Sequence, residues 1–200
     1  MEAVPASLTH GTGSLSSAAA RVEPELAPEP VLPVLPLRVV EPGSERQFRI
    51  DVLSDTHGVL STAAFRACAG ADLIVHAGDI CADDIIARLE MQAPVIAVLG
   101  NNDWPGQYGP NVQAMARFER LGITFKVTHI PSKLAPLDTC IAICGHTHIA
   151  EVTDVGACTI VNPGSVTRPR AAGGPTMARI VLEENFVRSI RIIHLNADER

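Results

Sequence analysis

Two hundred residues with 16 Lys plus Arg against 22 Asp plus Glu suit one domain with an appendage, and a net charge of −6 disfavours non-specific adhesion to nucleic acid or an anionic membrane. At 46% hydrophobic and 19% charged, the chain has apolar material for a core and too little charge for wholesale disorder. No apolar run reaches the roughly 18 residues needed to span a bilayer.

Seven of the 15 prolines fall before residue 47, in stretches such as EPELAPEPVLPVLP. Proline at that density removes backbone donors and forbids helix, so residues 1–47 are expected to form a Pro/Ala/Ser-rich disordered tail ahead of a domain over 48–200. The opening MEAVPASLTHG lacks a basic n-region and apolar h-region, which points to a cytoplasmic protein.

From Arg49 onward, RIDVLS, DLIVHA and PVIAVLG read as buried strands. They are separated by helices near Thr62–Ala69 and Asp83–Met91, the signature of βαβ units. Beyond Trp104, QAMARFERLGITFKVTHI reads as two strands around a turn at Gly122, and TCIAICG as a further buried strand. Two hairpins follow, turning near Gly156 and Asn185. The expected architecture is a layered α/β sandwich with parallel strands first and antiparallel strands later. Five cysteines, Cys68, Cys81, Cys140, Cys144 and Cys158, contain no C-x-x-C pair and read as reduced, mostly buried thiols.

Nearly every strand ends in a metal-capable side chain. VLS runs into Asp55 and His57, IVHAG into Asp79, AVLG into Asn101, FKVT into His129, and AICG into His146 and His148. Loops leaving the carboxyl ends of strands build ligand sites in α/β sheets, so these residues should converge. On extended backbone, residues i and i+2 point the same way, which would let Asp55 with His57, and His146 with His148, each present two ligands to one cavity. Oxygen and imidazole donors suit Mn, Fe, Ni or Zn. Seven such side chains are too many for one ion and suit two that share a bridging carboxylate.

In this order D-x-H (Asp55, His57), G-D (Gly78, Asp79), G-N-x-D (Gly100, Asn101, Asp103), His129, G-H-T-H (Gly145–His148) and N-P-G-S (Asn162–Ser165) resemble the calcineurin-like metallophosphoesterases. More narrowly, the chain resembles their small prokaryotic phosphodiesterase branch over Arg49–Leu195. The resemblance implies an α/β/β/α sandwich of mixed sheets with helices outside. It implies one metal held by Asp55, His57, Asp79 and His148, a second held by Asp79, Asn101, His129 and His146, and Asp79 as the bridge. It places Asn101, Asn102 and Asp103 in the catalytic machinery.

Three positions depart from the pattern. Ile130-Pro131 follows His129 where the branch carries Gly, the His129–His146 stretch is short enough to lack a helix, and Asn102 stands where larger members carry a histidine acid and the small branch often a cysteine. An amide cannot act as an acid at neutral pH.

The leading expectation is a metal-dependent phosphodiesterase in which a hydroxide shared by two ions attacks phosphorus in line. Its substrate is a small-molecule phosphate ester, without membrane partners, and homo-oligomerisation stays open. Two alternatives are a non-catalytic protein-binding scaffold, like a retromer subunit of the superfamily that has lost metal ligands, and a phosphomonoesterase or phosphoprotein phosphatase. Arg168 and Arg170 are candidate phosphate contacts, His76 a core residue, Trp104 and Tyr108 either pocket or loop-anchoring residues, and N-P-G-S a tight turn shaping the cleft wall.

Overall fold

Alternation in FRIDVL sets the two faces of β1 (Phe48–Leu53): Ile50 and Val52 enter one buried cluster and Leu53 another. This computed structural model describes residues 47–195, so the expected tail, Gln47 apart, lies outside the described residues. β1 pairs in parallel with β2 (Leu73–His76), which pairs in parallel with β3 (Val95–Ala97). The helices α1 (Thr62–Ala67) and α2 (Asp84–Glu90) fall between these strands in the chain, as the βαβ reading requires. The Ser61 side chain accepts from the Ala64 amide at 3.1 Å and so starts α1, a cap worth about 1 kcal/mol.

The remaining strands are β4 (Met115–Arg120), β5 (Ile123–Thr128), β6 (Ile141–Ile143), β7 (Ala150–Val155), β8 (Cys158–Pro163), β9 (Thr176–Glu183) and β10 (Phe186–His194). They complete two five-stranded sheets, β10-β9-β1-β2-β3 and β4-β5-β6-β8-β7. Both are mixed, as expected of an α/β sandwich. The simpler order of parallel strands first and antiparallel strands later does not hold, because β5 pairs in parallel with β6 and β6 with β8. The reason is that β7 takes the sheet edge beyond β8, so the chain returns to β6 in the same direction.

Side chains of both sheets interdigitate in one core, among them Ile50, Val75, Ile180, Phe125, Val127 and Ile143. A second core packs Leu53 and Ile74 against Ala64 of α1 and Ile85 and Leu89 of α2. Buried Asp51 accepts from Arg179 Nε at 2.8 Å and Arg49 Nε at 3.1 Å. The same guanidinium groups donate to the Ala67 and Ala69 carbonyls at the end of α1, so the charge is paired and the helix end is capped.

The outer face of the second sheet has no α-helix among the described residues, in keeping with the short His129–His146 spacing. A 3-10 turn at Pro131–Lys133 and the chain after it cover a small cluster of Leu134, Ala142, Cys144 and Cys158. Buried Lys126 ties this cover down, its Nζ donating to the Leu134 carbonyl at 2.7 Å and to those of Ala135 and Pro136 at 3.3 Å. All five cysteines are free thiols, three of them buried (Cys68, Cys144, Cys158). No helix among the described residues is long and apolar enough to cross a membrane.

Candidate metal centre

Three strands of each sheet run parallel, β1-β2-β3 and β5-β6-β8. The loops that leave their carboxyl ends carry Asp55, Asp79, Asn101, His129, His146 and His148. These loops converge: His57 and His148 Nε2 lie 3.1 Å apart, His148 Nε2 lies 3.0 Å from Asp55 Oδ1, and His57 Nε2 lies 3.8 Å from the same oxygen. A second gathering has Asn101 Oδ1 at 2.8 Å from His146 Nδ1 and 3.2 Å from His129 Nε2. Asp79 Oδ2 reaches both groups, at 3.9 Å from His57 Nε2 and 3.5 Å from His129 Nε2. Two sets of carboxylate and imidazole groups among the described residues, Asp55-His57-His148 and Asp55-Asp79-His129, have ligand atoms within 4.8 Å of one another, and Asp55 belongs to both.

The paired residues meet by a route other than extended backbone. Asp55, His57, Asp79, His146 and His148 all have positive φ, between 46° and 70°. Non-glycine residues seldom adopt this conformation, and its concentration on five of the seven candidate ligands marks strain held by the surroundings. The glycines of the motifs supply the space. A Cβ on Gly100 would collide with the Asp79 carboxylate and amide, and one on Gly145 with the Ser54 hydroxyl.

Hydrogen bonds fix the imidazole orientations. A carbonyl only accepts, so His148 Nδ1–H donates to the Arg168 carbonyl at 2.6 Å and His129 Nδ1–H to the Ala77 carbonyl at 2.7 Å. Each ring thereby aims a bare Nε2 into the cluster, the orientation usual for metal-binding histidines. Ile130 is extended at φ −87° and begins the 3-10 turn, so the Ile-Pro sequence leaves His129 facing inward. His76 accepts from the Gly78 amide through Nδ1 at 3.3 Å and donates through Nε2 to Thr56 Oγ1 at 3.1 Å. Burial pushes its pKa down to about 4, so it is neutral at pH 7 and sits beneath the site as a core residue.

Asp55 tests whether these residues fit a cation. Its Oδ2 accepts from the Ser54 hydroxyl at 2.7 Å and the His146 amide at 3.1 Å, whereas Oδ1 is buried and hydrogen-bonded to nothing among the described residues. A carboxylate oxygen so placed beside imidazole nitrogens is costly to bury unless a positive charge joins it. At Asp79, burial works to raise the pKa, but the adjoining His129 imidazole and the hydrogen bonds from Asn102 outweigh it and hold the carboxyl well below the usual carboxylate range. At His129 burial works to lower the pKa, and the Asp79 carboxylate 3.5 Å from Nε2, together with the bond to the Ala77 carbonyl, reverses the sign. The donor set therefore fits divalent cations.

Above the cluster lies a cleft of about 380 Å³, bordered by His57, Asp79, Asn101, Asn102, His146, His148 and Arg168–Arg170. Asp55 and His129 are buried. Asn102 is spent on Asp79, its side-chain amide donating to Oδ2 at 2.6 Å and its backbone amide to Oδ1 at 2.9 Å. Asp103, grouped with the catalytic candidates from sequence, is turned away from the cleft. It accepts from the amides of Ile80, Cys81 and Gly100 at 2.8–3.1 Å and from the Tyr108 hydroxyl at 2.9 Å. Tyr108 thus anchors its loop, and Trp104 stands in solvent.

The N-P-G-S turn does more than shape the cleft wall. Asn162 Nδ2 donates to the Gly145 carbonyl and to Thr147 Oγ1, both at 2.9 Å, and so braces the G-H-T-H turn. Ser165 and Thr167 donate to the Asp55 carbonyl at 2.8 and 3.0 Å. Partners more than a hundred positions apart leave no local signal.

The profile of the calcineurin-like phosphoesterase superfamily domain matches residues 48–185. The chain belongs to this superfamily. A probable metallophosphoesterase of Methanothermobacter thermautotrophicus is 34% identical over 139 residues, covering 60% of this chain and 78% of that protein. Among solved structures, a novel archaeal phosphodiesterase superposes with a TM-score of 0.61 at 22% identity, covering 73% of this chain and all of its own. Vps29 of Entamoeba histolytica complexed with zinc does so with a TM-score of 0.58 at 20% identity, over 73% of this chain and 97% of its own. At these identities the two structures speak for the fold. Metallophosphoesterases use divalent metal ions to hydrolyse phosphate esters, and this chain carries candidate ligands for them.

Proposed function

We propose that this chain is a phosphodiesterase working with two divalent transition-metal ions, Mn, Ni, Fe or Zn. Asp55, His57, Asp79 and His148 would hold one ion and Asp79, Asn101, His129 and His146 the other, with Asp79 between them. When bound, such a pair supplies Lewis-acid neutralisation of the phosphoryl oxygens and activates water as the nucleophile. In the overall reaction water adds to phosphorus and one P–O bond to an ester arm breaks, giving a phosphomonoester and an alcohol.

The observation that carries this reading is the buried, unpartnered Asp55 Oδ1 among inward-facing imidazoles. A scaffold that worked only by surface contacts would have no use for the strain and the unmet charge. The chain's own residues orient the site. Asn102 steers Asp79, Asp103 gathers the amides that flank Asp79 and Asn101, and Asn162 and Ser165 hold the histidine turn and Asp55 in register.

The test is hydrolysis by the purified full chain, loaded in turn with Mn, Ni, Zn and Mg, of bis(p-nitrophenyl) phosphate and of p-nitrophenyl phosphate. The reading expects metal-dependent turnover with the diester ahead. Faster monoester cleavage would reassign the protein as a phosphomonoesterase.

A further inference from the structure

Arg49, Arg88, Arg117, Arg179 and Arg188 each pair with a carboxylate. The side chains of Arg168 and Arg170 make no hydrogen bond or ion pair among the described residues, although both border the cleft. Their backbone is pinned. Arg168 accepts through its carbonyl from His148 Nδ1–H at 2.6 Å, its amide donates to Ser165 Oγ at 2.8 Å, and the Arg170 amide donates to the His148 carbonyl at 3.1 Å. Pro169 between them restricts the chain further. Two guanidinium groups are thus carried to the lip of a cleft in a chain whose net charge is −6.

A phosphodiester carries one negative charge, and the candidate metal cluster lies ready to neutralise it. Two further positive charges beside that cluster exceed what a diester with uncharged arms requires. A terminal phosphate carries a charge of about −1.5 to −2 at pH 7 and matches two guanidinium forks. A carboxylate would match only one.

We infer that Arg168 and Arg170 form an anion subsite selecting phosphodiesters with a terminal phosphate on one ester arm. This inference rests on the phosphodiesterase reading and names its substrate class.

A matched pair of substrates tests it: thymidine 5′-(p-nitrophenyl phosphate) and the same compound phosphorylated at the 3′ hydroxyl. The full chain is expected to show a KM about tenfold lower for the phosphorylated member, an advantage that shrinks with added salt, as two exposed ion pairs would give. In R170Q and in R168Q/R170Q the ratio of the two KM values should fall toward one. Equal KM values in the unsubstituted protein, or a ratio unchanged by both variants, would overturn the subsite.

A 3′-succinyl arm separates phosphate from carboxylate, and equal KM values for the two anionic arms would overturn the phosphate assignment. Binding to EDTA-treated full chain gives a readout independent of turnover. Calorimetry should show thymidine 3′,5′-bisphosphate binding more tightly than thymidine 5′-phosphate, with the preference lost in R168Q/R170Q. If no metal supports hydrolysis, the phosphodiesterase reading fails, while this calorimetric preference still decides the subsite, and its absence overturns it.

Discussion

His148 Nε2 stands 3.0 Å from Asp55 Oδ1 without hydrogen-bonding to it. The ring has given its Nδ1–H to the Arg168 carbonyl, so two electron-rich atoms face one another. Such an arrangement is stable when a cation lies between them and unfavourable otherwise, which ties folding to metal binding at this point.

Asp55→Asn should therefore stabilise the metal-free protein and weaken its metal binding together. The amide can donate to His148 Nε2, relieving an unmet buried acceptor that costs about 1–3 kcal/mol. Scanning calorimetry with and without EDTA checks this. The variant is expected to melt higher than the unsubstituted protein in EDTA and to lose most of the upward shift that metal produces. A full metal-induced shift in the variant would remove Asp55 from the ligand set.

Asp103→Asn should cost about 2 kcal/mol of stability, because one amide oxygen cannot serve three backbone amides and a tyrosine hydroxyl that now share a carboxylate. Turnover and melting temperature should fall together while the shape of the pH–rate profile stays the same. Loss of one limb of that profile at unchanged stability would instead make Asp103 a proton carrier.

The strands and the identity of the clustered side chains were legible in the sequence because both are local. RIDVLS, IVHAG and AICG announce buried strands, and Asp55, Asp79 and His146 respectively follow them directly. The local conformation was not legible. D-x-H reads as extended, yet Asp55 and His57 both have positive φ, enforced by contacts such as Ser165 to the Asp55 carbonyl that lie far along the chain. The direction of Asp103 was hidden for a similar reason: its partners Ile80 and Cys81 sit more than 20 positions away. Parallel pairing of β6 with β8 depended on β7 taking the edge, which no strand pattern encodes.

Asn102 has no proton to give as an acid, and its amide is committed to Asp79 at 2.6 Å. General acid catalysis is typically worth about 10²- to 10⁴-fold, so rates should depend steeply on the leaving group. Aryl diesters should turn over readily and alkyl diesters poorly. A series of diesters spanning several leaving-group pKa units measures the slope, and a flat dependence of the chemical step would reveal a proton donor elsewhere in the cleft.

Asp79 Oδ2 lies 3.9 Å from His57 Nε2 and 3.5 Å from His129 Nε2, the placement that the proposed sharing of Asp79 by two metal ions requires. Metal content by plasma mass spectrometry, paired with bis(p-nitrophenyl) phosphate turnover on the same samples of unsubstituted and Asp79→Ala protein, tests it most directly. Two divalent ions per unsubstituted chain are expected, and in the folded variant at most one ion and no turnover. Undiminished turnover in Asp79→Ala, or full activity in chains holding a single ion, would contradict it.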